Sequence, residues 1–144
     1  MENSFENVLK TCGDGISINI DRDQIAQIYY DYLKLFPILS ETKYMIADER
    51  NKKLRLLFLM QESAAEITGG KFELFPIKNQ IIGISIHELT FADANTRKHI
   101  QKISFSFRTD FGLEVHLEED KLKAKSQYLI RILNEYLFPN LKKS

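Results

Sequence analysis

Between Gln80 and Leu137 the hydrophobic period of the chain changes once, from two to about 3.6. That change limits the fold to one in which extended strands are followed by a helix that needs a surface to cover. In Ile100 to Leu117 two alternating runs flank a short polar turn. Ile103, Phe105 and Phe107 share one face and Lys102, Ser104, Ser106 and Arg108 the other; beyond the turn, Leu113, Val115 and Leu117 alternate with Glu114, His116 and Glu118. Thr109, Asp110, Phe111 and Gly112 form the turn, with Gly112 able to take the left-handed conformation that a short hairpin loop requires. The pattern predicts a half-buried antiparallel hairpin. After Glu118, Glu119 and Asp120, residues Leu122, Leu129, Ile132, Leu133, Tyr136 and Leu137 recur at helical spacing, Asp120 suits an N-cap, and Pro139 ends the segment. So wide an apolar stripe must be buried, and the preceding sheet is the surface at hand.

Earlier in the chain the signals are shorter. Asn3 or Ser4 can cap a first helix with Phe5, Val8, Leu9 and Cys12 on one face, ended by Gly13, Asp14 and Gly15, and Ile16, Ile18 and Ile20 then alternate as in a short strand. Asp21 followed by Gln24 marks a second helix start. Ile25, Ile28, Tyr29, Tyr32, Leu33 and Phe36 keep the helical period until Pro37 forces Phe36 out of it. This spacing directs Tyr29 and Tyr32 to the core and leaves Tyr30 at the surface or rim.

Tyr44 to Ala47 and Leu54 to Met60 read as two strands joined by the polar turn Asp48 to Lys53, the second so continuously apolar that both its faces should be covered. Glu62 to Ile67 suits either a turn or two of helix or a loop, and Gly69 and Gly70 mark a turn. Phe72 to Phe75 ends at Pro76 as an edge or strand end would, Ile82, Ile84 and Ile86 alternate with polar residues, and Phe91 to His99 is a polar loop. Strands come in succession rather than alternating with helices. The expected fold is α+β: an antiparallel sheet of about six strands with two N-terminal helices and a C-terminal amphipathic helix, in a single domain over residues 1–144.

Twenty basic and twenty acidic residues cancel, so no basic excess calls for nucleic acid. The 44% hydrophobic and 28% charged fractions are those of an ordinary globular chain. Cys12 is alone, which excludes an internal disulfide and a cysteine-rich zinc site. No apolar run approaches the ~20 residues of a membrane span, and Met1 to Glu6 has no basic segment leading an apolar one, so cytoplasmic residence is the expectation.

From about residue 42 to residue 137, strands followed by one closing amphipathic helix resemble a pleckstrin-homology-like domain, including the small bacterial versions. Lys71 to Ile86 resembles their run of strand, turn and strand. Six strands are legible where that family's fold has seven, and the first 36 residues lie outside it. The resemblance implies a PH-like barrel and binding of phosphoinositides or peptides. Lipid-binding members keep basic residues on the first hairpin, where this chain has Arg50, Lys52, Lys53 and Arg55; Lys52, Lys53 and Arg55 are the residues it implies for an anion or for weak contact with an anionic membrane.

Catalytic constellations are sparse. His87, His99 and His116 are the only histidines; His87 and His116 would meet Glu114 or Glu118 only if their strands were neighbours, and metal-ligand spacing is absent. Asp110, Phe111 and Gly112 spell a kinase magnesium motif without the rest of a kinase, and Gly83-Ile-Ser-Ile-His fails as a nucleophile elbow at its last position. No cofactor or metal is expected. The leading expectation is a non-enzymatic macromolecule-binding domain, of adaptor, inhibitor, immunity or chaperone type. It would contact a protein partner through Tyr30 and Asp31 on the helix Arg22 to Phe36, or through an uncovered sheet edge. A PH-like module for anionic lipid or phosphate is the alternative, and a small enzyme or metal protein using His87 and His116 is the third reading.

Overall fold

The structure, a computed structural model, describes residues 21–91, 100–110, 114–120 and 123–143. The first expected helix, the strand at 16–20 and the polar loop at 92–99 lie outside the described residues. The chain divides into two compact units, Met1–Pro76 and Ile77–Ser144.

The first unit opens with α1 (Arg22–Leu35). Asp21 caps it as its spacing predicts, its carboxylate accepting the Asp23 backbone N–H at 2.9 Å. Its end follows from Pro37. Phe36 is pushed to φ −129°, and a 3-10 turn over Pro37–Glu41 follows with proline in its first position. Ile25 and Tyr29 are the fully buried residues of α1; Tyr32 is half-buried.

Four strands then form a meander: β1 (Tyr44–Arg50), β2 (Lys53–Leu59), β3 (Ser63–Thr68) and β4 (Lys71–Pro76), hydrogen-bonded in the order β1-β2-β3-β4. The expected turn from Asp48 to Lys53 is tighter than its polarity suggested. Both strands run on until only Asn51 and Lys52 join them, with φ of 53° and 65°. Positive φ at both loop positions is what a two-residue hairpin needs to match strand twist; Asn tolerates it, and Lys does so at a cost. Gly69 and Gly70 make the equivalent turn between β3 and β4, at φ 56° and 83°, without that cost.

Residues 62–67, read from sequence as helix or loop, are mostly strand β3. Ala64 and Ala65 carry no strong strand propensity of their own, but each pairs with β2 in register and is buried, so tertiary pairing overrides local preference. Leu56, Leu57, Phe58 and Leu59 are all fully buried, which agrees with the continuous apolar run of β2. Register and alternation place Leu56, Phe58 and Ile67 on the face met by α1, where the Tyr29 ring lies 5.7 Å from Phe58. Ile46, Leu57 and Arg55 lie on the other face.

In the second unit β5 (Ile81–Phe91), β6 (Ile100–Thr109) and β7 (Glu114–Asp120) are antiparallel in the order β5-β6-β7. The chain therefore has seven described strands in two sheets rather than about six in one. Among the described residues each sheet is open, with β1 and β4 as edges of the first and β5 and β7 of the second, so neither closes into a barrel by pairing. The hairpin of β6 and β7 falls where alternation placed it, with Ile103, Phe105 and Phe107 buried. It is not half-buried on β6: Ser104 and Ser106 are buried as well.

Helix α2 (Lys123–Ile132) packs on β6 and continues through a π-helical turn at Leu133–Leu137 into a 3-10 turn at Phe138–Asn140, where Pro139 ends the apolar stripe. Tyr128, Leu129, Ile132, Leu133, Tyr136 and Leu137 form its buried side. Asp120, expected to cap this helix, is the last residue of β7. The segment after α2 is tied down: Asn140 donates from Nδ2 to the Tyr136 carbonyl at 2.7 Å, the Lys142 N–H donates to the Ile81 carbonyl at 2.7 Å, and the Lys142 ammonium pairs with Asp110.

Candidate functional site

The histidine reading depended on the strands of His87 and His116 lying side by side. They flank β6 instead, and His116 sits opposite Ser106 in the register. A bulge between Ile86 and Glu88 makes His87 the extra residue of β5, and bulges re-aim side chains. His87 Nε2 lies 2.8 Å from Ser106 Oγ. A serine and histidine at hydrogen-bond distance are the beginning of a nucleophile and its base. Ser106 is 2% exposed on a central strand, so the contact satisfies a buried hydroxyl. Among the described residues, no group of three or more His, Cys, Asp or Glu is placed to hold a metal ion. His99 lies outside the described residues.

The basic hairpin separates into two environments. Lys52 and Lys53 are exposed. Arg55 is not: it is 4% exposed, and Asp48, opposite it in the ladder, accepts from Nε at 2.9 Å and from Nη2 at 2.7 Å. Glu66 adds a longer contact at 3.9 Å. A guanidinium held in a bidentate pair inside the fold is committed to its own carboxylate. Arg55 is therefore removed from the exposed anion-binding group. The signal was present in the sequence, since a two-residue turn at Asn51 and Lys52 pairs Asp48 with Arg55 by counting outward. Burial raises the Glu66 carboxyl above its ordinary range; Arg55 pulls it down, Glu73 and Asp48 push it up, and Lys71 lowers it.

Of the residues expected to meet a partner, Asp31 is exposed and accepts from Gln27 Nε2 at 2.9 Å. Tyr30 is half-buried, with its ring edge-on to Tyr29 at 5.8 Å. A larger feature lies one turn further along α1, and sequence reasoning missed it. Phe36, ejected from the helix by Pro37, lies flat on Phe72 of β4 with ring centroids 4.5 Å apart and planes 6° from parallel. Tyr32 stacks on Phe72 at 5.7 Å. Exposed aliphatic residues adjoin the stacked ones in the chain: Leu35, next to Phe36, is 71% exposed and Leu74, two residues along β4 from Phe72 on the same face, is 48% exposed.

Isolated apolar residues on a surface need no explanation, but a cluster of two leucines around a stacked aromatic pair beside a sheet edge does. β4 is that edge. The Phe36 and Phe72 rings are apolar, and they and the two exposed leucines would lose water on contact with an apolar partner. Among the described residues no helix is long and apolar enough to cross a membrane. Comparison with family models, with curated proteins and with solved structures finds no match for this chain, so the reading of the surface rests on its own geometry.

Proposed function

We propose that this chain is a non-enzymatic protein-binding domain whose contact surface is the aromatic and aliphatic patch where the end of α1 meets the edge strand β4. One observation carries the reading: the rings of Phe36 and Phe72 are stacked, and both Leu35, next to Phe36 in the chain, and Leu74, two residues along β4 from Phe72, are exposed. Rigid aromatic anchors at the centre of a patch are what interface hot spots are made of, and an edge strand offers unpaired backbone groups beside them. The partner that fits is a protein presenting an apolar segment in extended form, added along β4 with alternate side chains on the ring stack.

The test begins with the protein that co-purifies stoichiometrically from the native host. Leu35→Lys combined with Leu74→Lys is expected to weaken that complex at least about tenfold without lowering the urea midpoint, since both side chains are exposed. Replacing Tyr30 and Asp31 by alanine is the comparison. Loss of binding in that variant alone would move the contact to the outward side of α1.

A second reading, a PH-like module for an anionic lipid or phosphate, is favoured by element order. Seven strands followed by one closing helix is the succession that the resemblance implies. Lys52 and Lys53 are the exposed cations on which it depends, with Arg55 excluded by its ion pair. Neutralising both lysines with glutamine is expected to abolish any low-salt binding to anionic vesicles. Absence of vesicle binding by the unaltered protein at low salt would remove this reading.

A further inference from the structure

A cavity of about 360 Å³ opens between α1 and the first sheet. Its helix wall is the row Gln24, Ile28 and Tyr32, spaced four residues apart on one side of α1. Leu56 and Ile67, both buried, form its floor together with Leu54. The β3–β4 turn contributes Gly69 and Gly70 to its lining, and a Cβ added to Gly70 would meet no atom within 4 Å.

The polar side chains of this cavity are Gln24 and Lys53, both exposed, and the half-buried Tyr32. Lys53 crosses the turn, its Cδ 3.2 Å and its Nζ 3.6 Å from the position a Gly69 Cβ would occupy. It forms no ion pair with any described residue, and Glu49, opposite Leu54 in the ladder, does not engage it. Gln24 supplies a carboxamide to the same cavity. An apolar floor with one unpaired cation and one amide at the opening selects a ligand with an aliphatic tail and a terminal anion.

We infer that this cavity binds an unbranched aliphatic carboxylate, its chain on Leu54, Leu56 and Ile67 and its carboxylate at the Lys53 ammonium and the Gln24 amide. At roughly 30 Å³ per heavy atom, the share of a water molecule in the liquid, the volume holds about twelve heavy atoms. That is the size of decanoate. The cavity adjoins the partner surface through Tyr32, which lines it and stacks on Phe72, whereas neither Leu35 nor Leu74 lines it.

Isothermal titration with octanoate, decanoate and dodecanoate, each below its micelle concentration, tests the inference. Saturable 1:1 binding is expected, tightening about fourfold per methylene up to decanoate and no further once the cavity is full. Decanol should bind about fivefold more weakly than decanoate, and Lys53→Met should bring decanoate to the decanol level while leaving decanol unchanged. Ile28→Trp fills the cavity and adds the only tryptophan of the chain, so its emission reports whether the variant folds. A folded Ile28→Trp protein should not bind decanoate. Absence of saturation, binding that survives in folded Ile28→Trp, or affinity for decanoate unchanged in Lys53→Met would each overturn the assignment.

Discussion

Arg55→Ala is expected to destabilise the protein by about 3–5 kcal/mol, the cost of breaking a buried ion pair by removing one partner. Arg55 is 4% exposed, and its two short contacts to Asp48 fix both side chains across neighbouring strands. Without the guanidinium, Asp48 and Glu66, whose side chains are only 15% and 21% exposed, keep their desolvation cost and lose the charge that offsets it. Arg55→Met combined with Asp48→Leu removes both charges of the short pair and should lose far less, because the penalty in the single variant comes from the stranded carboxylate. Urea unfolding at constant m-value reads both. A loss below about 1 kcal/mol for Arg55→Ala would mean that water reaches the pair.

The same cluster sets a pH dependence. Burial raises the Glu66 carboxyl above its unfolded value, so the folded state holds that proton more tightly. Its contribution to stability is complete below the unfolded carboxylate range and is lost as pH rises through the raised folded value. Glu66→Gln should therefore be more stable than the unaltered protein at neutral pH, the difference closing in acid. In Arg55→Ala the lowering effect of the guanidinium is gone, and this window moves to higher pH.

Phe58→Ala is expected to cost about 3–5 kcal/mol by a different route, the loss of transfer energy plus a cavity that a β-sheet cannot collapse into. Phe58 and Tyr29 are both fully buried, with their rings 5.7 Å apart. Tyr29 is further held by its hydroxyl, which donates to the Leu39 carbonyl at 3.3 Å. Truncating Phe58 removes the platform on which α1 sits. Tyr29→Phe removes only a hydrogen bond and should cost about 1 kcal/mol. Calorimetric or urea unfolding of the two variants checks the ratio, and near-equal losses would show that the hydroxyl, not the ring contact, holds the helix.

Local rules account for much of what the sequence by itself determined. Asp21, Pro37 and the spacing of Ile25 and Tyr29 specify α1 because capping, pre-proline restriction and helical period act within a few residues. The faces of β6 and the place of β4 before Pro76 follow from alternation and from the missing proline donor in the same way. Tertiary structure decided what depends on a partner strand or helix. Residues 63–68 are a strand because β2 and β4 pair with them. The seven strands divide into two open sheets by pairing choices that no local pattern encodes. Arg55 leaves the surface because the register sets Asp48 opposite it, and Phe36 becomes part of a candidate site because β4 brings Phe72 under its ring. Each of these joins groups distant in sequence, and their energies arise only when chain folding brings those groups into contact.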